Sequence, residues 1–232
     1  MKFAGNEVVW LDPDRPRRYP EAICDSWREE HMSEKPINSE KAKMLSGILY
    51  RPGNDEALMR EQFHAKTLCH AYNRLSPVEA EQRAAILGQL FGAVGDGCRI
   101  EPTLFCDYGY NIRIGNSFYS NHNLVILDPA EVIIGDNVMF GPNCGLYTAG
   151  HPLDVERRNA GLEYAFPIHI GDNVWLGGNV VVMPGVTIGE NTVVGSGSVV
   201  TRDVPAGVVA VGNPCRVIRD ITDADRESFT SV

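Results

Sequence analysis

The sequence predicts a mainly β chain, a parallel β-helix of hexapeptide repeats with an N-terminal α-helical cap. Three observations carry this. Stepping by six from Ile170 gives Ile170, Leu176, Val182, Ile188, Val194 and Val200, all large aliphatics. The next positions are Gly171, Gly177, Met183, Gly189, Gly195 and Thr201, mostly glycine. The segments Gly135-Asp136-Asn137, Gly171-Asp172-Asn173 and Gly189-Glu190-Asn191 have the composition of corners that need an unusual backbone angle. A period of six fits neither a helix at 3.6 nor a simple strand at 2. It fits a chain that runs flat, turns and repeats, three edges closing a triangular coil of about 18 residues.

Taken in order, residues 1–31 are rich in Pro, Arg and Glu, have no period, and read as an extension that is disordered or lies ahead of a natural start at Met32. Residues 32–93 read as the helical cap. Ser39–Leu49 is helical in composition, and Leu58, Met59, Phe63, Leu68 and Tyr72 recur at near-helical spacing within 55–75. Ser76-Pro77-Val78-Glu79 has the form of a helix start, with the helix running to about Phe91. About five coils follow over 94–212. Ile134, Phe140 and Leu146 keep the frame; Ile114, Ser120 and Ile126, then Ile100 and Cys106, keep it more weakly. Two-residue slips separate the early sets, and a loop insertion interrupts them near 150–167. Residues 213–232 read as a tail with a short helix over 222–229. A β-helix exposes unpaired backbone at its ends, and the cap is expected to cover one of them.

Composition narrows the function. The chain has 232 residues, 44% apolar, with 21 basic against 30 acidic residues and a net charge of −9. That suits one sizeable core and argues against wrapping nucleic acid. No run approaches the ~20 apolar residues that cross a bilayer, and the first twenty residues lack the apolar stretch of a signal peptide. Six scattered cysteines form no Cys-x-x-Cys and read as packing thiols of a cytoplasmic protein.

The segments DYGYNIRIGNSFYSNHN (107–123), TAGHPLDVERRNAG (148–161), PIHIGDNVWLGGNVVVMPGVTIG (167–189), GSGSVVTRDVP (195–205) and GNPCRVIRDI (212–221) resemble the maltose/galactoside O-acetyltransferases. The resemblance extends to SEKAKMLSGILYR (39–51) and runs from about Ser39 to Asp220. It implies a left-handed parallel β-helix, transfer of acetyl from acetyl-CoA to a sugar hydroxyl, no metal requirement, and a homotrimer with active sites between subunits. Tyr147, Tyr164 and Phe166 are candidate interface aromatics.

Acetyl transfer to an alcohol needs a base near neutral pH and donors for the oxyanion. His151 sits where the regular frame breaks, a setting that favours a site, and the family's catalytic histidine falls on it. Other histidines (His64, His70, His122, His169) lack that setting, and His31 belongs to the extension. Asn121 matches the family's transition-state amide, a donor that does not titrate. Tyr119 and Asp107 resemble acceptor-side residues. The acceptor-contacting aspartate of the galactoside branch falls on Pro129, so either Asp128 substitutes for it or the acceptor preference differs. Glu163, as in the maltose branch, is expected to accept from the second nitrogen of His151 or to bind sugar. Asp55 is a further acceptor candidate. Trp175 and Gly178 match the pantetheine groove. Ser196, Thr201, Arg202, Arg216 and Arg219 match CoA contacts, the arginines forming a basic set for the phosphates.

Three alternatives stay open at this level. One is O-acetylation of another hydroxyl acceptor, such as a lipo-chitooligosaccharide, serine or an antibiotic. A second is a hexapeptide-repeat metal enzyme of the carbonic anhydrase type, whose paired histidines five residues apart have no match around His151. The third is a non-catalytic scaffold.

Overall fold

A computed structural model describes residues 39–227 of the chain. The reading of 1–31 as an extension, the start at Met32, His31 and Cys24, and the end of the 222–229 helix lie outside the described residues.

Three stacks of short strands form the faces of a prism. The first holds Ala93–Val94, Ile112–Ile114, Val132–Ile134, Ile168–Ile170 and Thr187–Ile188, all parallel. The second runs through Arg99–Ile100, Tyr119–Ser120, Met139–Phe140, Trp175–Leu176, Val193–Val194 and Val208–Val211. The third holds Leu104–Cys106, Leu124–Leu127, Gly145–Tyr147, Val181–Val182 and Val199–Val200. The coil makes about six turns rather than five, because a bridge from Ile188 to Val204 and the strand Val208–Val211 close one more. The six-residue frame breaks after Val200, which hid this turn.

The hexapeptide aliphatics point inward as expected. Ile170, Leu176, Val182, Ile188, Val194 and Val200 are buried, as are Ile134, Phe140 and Leu146. The weaker positions Ser120 and Cys106 are buried too. Phe118 and Phe140 meet edge to face with centroids 5.1 Å apart, the favoured aromatic geometry. The corners work as the composition implies. Asn137, Asn173 and Asn191 all have φ of 56°, a left-handed value that asparagine tolerates better than most residues. Glycine is required at Gly171 for a different reason: a Cβ there would lie 2.6 Å from the backbone nitrogen of Glu190 in the next coil.

Every insertion into the repeat falls on one edge, between the third and first faces. Cys106 to Ile114 and Ile126 to Ile134 each take eight positions there instead of six, and the 150–167 loop leaves from the same edge.

Among the described residues the cap holds three α-helices, α1 (Glu40–Leu45), α2 (Glu56–Arg74) and α3 (Ala80–Leu90), with a 3-10 turn at Pro52–Asn54 between the first two. The Ser76–Glu79 start is corrected. Glu79 N–H donates to Ser76 O (3.0 Å) and Ser76 N–H to Glu79 Oε2 (2.6 Å), a turn that delays α3 to Ala80. The cap covers the open end of the first coil through side chains that bind its backbone. Asn73 pairs with both groups of Leu104, accepting from the N–H (2.8 Å) and donating to the carbonyl (2.9 Å). The Tyr72 hydroxyl and Arg83 both donate to Ile100 O. These bonds supply what an adjacent coil would have given. At the far end, Arg216–Asp220 pairs antiparallel with Val208–Val211, so the expected tail is a strand of the second sheet. The short helix α5 (Asp223–Glu227) follows.

Leu176→Ala empties a fully buried position at mid-stack, and is expected to lower stability by about 2–5 kcal/mol in denaturant unfolding. A loss under 1 kcal/mol would show that the ladder is not the core.

Candidate active site

The 150–167 insertion is an arm with its own structure. Ala149–Gly150 pairs antiparallel with Tyr164–Ala165, and between them lies helix α4 (Val155–Asn159). Asp154 caps α4 by accepting from Arg157 N–H (2.9 Å). Arg158 Nη1 donates to the carbonyls of Pro152 (3.2 Å) and Leu153 (2.9 Å). The base of the arm is tied to the cap, since Tyr50 and Glu163 exchange backbone hydrogen bonds of 3.1 and 2.9 Å.

His151 stands on this arm, exposed, with Nδ1 3.1 Å from Leu162 O. A carbonyl can only accept, so this bond places the proton on Nδ1 and the lone pair on Nε2. Here the structure corrects an expectation: the partner of the second nitrogen is this backbone carbonyl, not Glu163. The Glu163 carboxylate instead accepts from the Tyr50 hydroxyl, 2.9 Å from Oε2.

Asp107 lies in the widened corner, half-buried, and Oδ1 accepts from Gln62 Nε2 of α2 at 3.3 Å. Burial pushes its carboxyl above the ordinary range, Lys66 pulls the other way, and Glu163 adds to the rise. Burial, then the Glu163 charge, pushes the Tyr50 hydroxyl far up. Asp107, Glu163, Tyr50 and Gln62 therefore belong to one polar cluster beside the arm. Tyr50 and Gln62 carry no sequence signal for this, because only the packing of the cap against the arm brings them in.

Two acceptor candidates are corrected. Asp128 is fully buried, and its oxygens accept from the N–H groups of Asp107 (2.9 Å), Tyr108 (2.9 Å) and Gly109 (2.7 Å). It shapes the corner that carries Asp107 and offers nothing to a ligand. Asp55 is the N-cap of α2, accepting at Oδ1 from Ala57 (2.9 Å) and Leu58 (3.2 Å) N–H groups.

The remaining candidates divide between edges of the prism. Thr201 and the exposed Arg202 share the third–first edge with His151, Asp107 and Glu163. Tyr119 and the half-exposed Trp175 point outward from the second face. Asn121, Gly178 and the exposed Ser196 lie on the second–third edge. Asn121 Oδ1 accepts from His122 N–H (2.7 Å), which leaves Nδ2 as a donor. Arg216 and Arg219 are on the added strand beyond the second face, apart from Arg202, so one chain does not gather the three arginines into a single patch. The Arg219 guanidinium makes two 2.7 Å bonds to Asp225, so its charge is already matched. Among the described residues no three His, Cys, Asp or Glu side chains are grouped to hold a metal ion, the donor set that the carbonic anhydrase alternative requires.

Residues 43–95 match the family described as the maltose acetyltransferase hexapeptide capping motif. Residues 167–202 match the bacterial transferase hexapeptide of six repeats, and 131–153 the hexapeptide repeat of succinyl-transferase. The galactoside O-acetyltransferase of Escherichia coli is 48% identical over 174 residues, covering 75% of this chain and 86% of that protein. The chain belongs to the maltose/galactoside O-acetyltransferase family. Membership of this family makes it an acyltransferase. Two solved structures place the fold in the same group. A maltose O-acetyltransferase from Clostridium difficile superposes with a TM-score of 0.79 at 51% identity, covering 81% of this chain and all of that one. A galactoside acetyltransferase in complex with coenzyme A gives 0.78 at 44% identity, covering 83% and 94%.

Asp128 gives this family member a testable pH signature. Burial outweighs the three N–H donors and raises its carboxyl to about 7. The folded value then exceeds the unfolded one, so between about pH 4 and 7 the folded chain holds a proton that the unfolded chain has lost. Stability from this group falls as pH rises through that window. Asp128→Asn is expected to lower stability by about 1–3 kcal/mol, since an amide cannot accept all three bonds, and to abolish the decline. An unchanged pH profile would show that the carboxylate does not titrate there.

Proposed function

We propose that the chain is an acetyl-CoA-dependent O-acetyltransferase that moves acetyl to a sugar hydroxyl by direct attack, with His151 as general base. The observation that carries this is the bond from His151 Nδ1 to Leu162 O, which frees Nε2 to take a proton on an exposed arm. The acceptor class is supported by the relatives, named galactoside and maltose O-acetyltransferases. The co-substrate is supported by the relative solved with coenzyme A.

In this reading Nε2 of His151 removes the acceptor hydroxyl proton as the oxygen attacks the thioester carbonyl. A C–O bond forms, and Asn121 Nδ2 donates to the oxyanion of the tetrahedral intermediate. The C–S bond then breaks, and the imidazolium returns the proton to the departing sulfur. The Leu162 carbonyl holds the ring through both transfers. Glu163 and Asp107 bind sugar hydroxyls beside it, and the buried Tyr50 holds the Glu163 carboxylate in place. Trp175, half-exposed, offers the apolar surface that a pantetheine arm needs, with Gly178 and Ser196 beside it; Thr201, Arg202 and Arg216 take the polar and phosphate groups, and Arg219 contributes less because Asp225 holds it.

His151 and Asn121 lie on different edges of one prism, so a single copy does not bring them together. The site is therefore assigned to the junction of two copies in a homotrimer, one third–first edge facing the next copy's second–third edge. A head-to-tail contact of this kind closes as a ring of three when each copy is turned a third of a circle from the last. Exposed Leu153 and Val155 on the arm, and exposed Met139 beside Trp175, are apolar surface suited to that contact.

His151→Ala is expected to lower kcat/KM for transfer from acetyl-CoA by about 10²-fold or more, the range for losing a general base. Retention of most of the rate would remove His151 from the mechanism. Arg216→Ala should raise KM for acetyl-CoA and leave acceptor KM nearly unchanged, while Arg219→Ala does less. Equal effects on both substrates would displace the CoA site from this strand.

A further inference from the structure

The outward side of the second face carries one column of side chains. Trp175, Met139, Tyr119 and Arg99 occupy successive rungs, paired in register. Their neighbours Leu176, Phe140, Ser120 and Ile100 point inward and are buried. With strands about 4.8 Å apart, Arg99 stands one rung beyond Tyr119, roughly the length of one pyranose ring.

Arg99 is not a free surface cation. Its Nε and Nη2 both bind Glu101 Oε1, at 2.8 and 2.5 Å. Glu101 is buried, and its other oxygen lies 3.9 Å from Nη2 of the buried Arg83. Arg83 is fixed in turn by the Tyr72 hydroxyl (3.1 Å) and Ile100 O. Exposed ion pairs on mobile side chains contribute little, but here a rigid carboxylate orients the fork. The Arg99 guanidinium lies 5.8 Å from the Tyr119 ring centre, while its side chain remains 71% exposed. Among the described residues its Nη1 makes no hydrogen bond.

We infer that Arg99 determines acceptor specificity, and that the acceptor is a saccharide longer than one ring. This rests on the reading above, in which Trp175 flanks the thioester arm, and extends it by setting the outward Tyr119, two rungs from Trp175, against the acetylated sugar. The next ring then meets the Arg99–Tyr119 pair, whose planar guanidinium donates from Nη1 to ring and hydroxyl oxygens. Glu101 acts through Arg99 as a positioning residue.

The test measures acetyl-CoA-dependent transfer to glucose and to maltotriose by wild type, Arg99→Met and Arg99→Lys. Methionine keeps an apolar stem and removes the donors; lysine keeps the charge without the fork. Wild type is expected to have the lower KM for maltotriose. Arg99→Met should raise that KM about tenfold, as loss of a charge-assisted hydrogen bond predicts, with KM for glucose and both kcat values within about twofold. Arg99→Lys should recover part of the loss. An unchanged maltotriose KM, or a rise shared equally by glucose, overturns the assignment. If Arg99→Met also unfolds at lower temperature but the KM split persists, the subsite stands; if the thermal change comes without the split, Arg99 is structural only. Wild type that acetylates other hydroxyl compounds and neither sugar overturns the parent reading and this one with it.

Discussion

The structure depends on the hydrogen-bonded stacking of each coil on the next. Parallel strands a few ångströms apart leave almost no space at the corners, and the backbone there must reverse within three or four residues. This decides which residues stand where. Asparagine at left-handed φ turns the corner at 137, 173 and 191, and its amides also bond between coils, as in the 3.0 Å contact from Asn173 to Asn191. Glycine stands where the neighbouring coil approaches too closely for a Cβ. One aliphatic per edge fills the interior. The same constraint creates a need at each end, where a coil has no neighbour. Asn73, Tyr72 and Arg83 meet it at one end, and an antiparallel strand meets it at the other.

A prism built this way is stiff along its faces and tolerant at its edges. Extra residues on an edge do not disturb the ladder, provided their backbone groups find partners. The structure uses that tolerance on one edge only. Asp128 satisfies three N–H groups of the widened corner at 107–109. The arm satisfies its own backbone through a two-stranded ribbon and a capped helix, then ties itself to Tyr50. Of the residues read as the acceptor side, Asp107 and Glu163 stand on additions to the repeat, whereas Tyr119 and Arg99, like CoA-side residues such as Trp175 and Ser196, are repeat positions that point outward. The proposed chemistry joins an inserted edge to a regular one, and that is why it draws on two copies.

The site was legible where the residue's role lies in its own side chain. His151 stands out because the repeat breaks at it, whereas Trp175 was read only through the resemblance to the family, its equivalents on the face being Arg99, Tyr119, Met139 and Val193. Carboxylates were harder. Asp128, Asp55 and Glu163 look alike as letters, yet one is sealed under three backbone donors, one caps a helix and one holds a tyrosine. Which of these an acid does is set by the donors around it, and those come from segments far away in the chain. The Arg219–Asp225 pair was missed for a related reason, since the geometry that joins them belongs to the turn between the last strand and α5.

By itself the sequence determined the coil, its interior, its corners and the place of the interruption. These follow from a short period, and a period is local information: each six-residue step repeats the same steric demand. The tertiary structure alone decided that the insertions share one edge, that the cap grips the first coil by its backbone, that a carbonyl rather than a carboxylate holds His151, and that Arg99 lies over Tyr119. Except for the His151 contact, which lies within the arm, those outcomes depend on which turn of the helix stacks on which. Stacking brings together residues about sixteen or more positions apart, a separation over which no periodic pattern specifies partners.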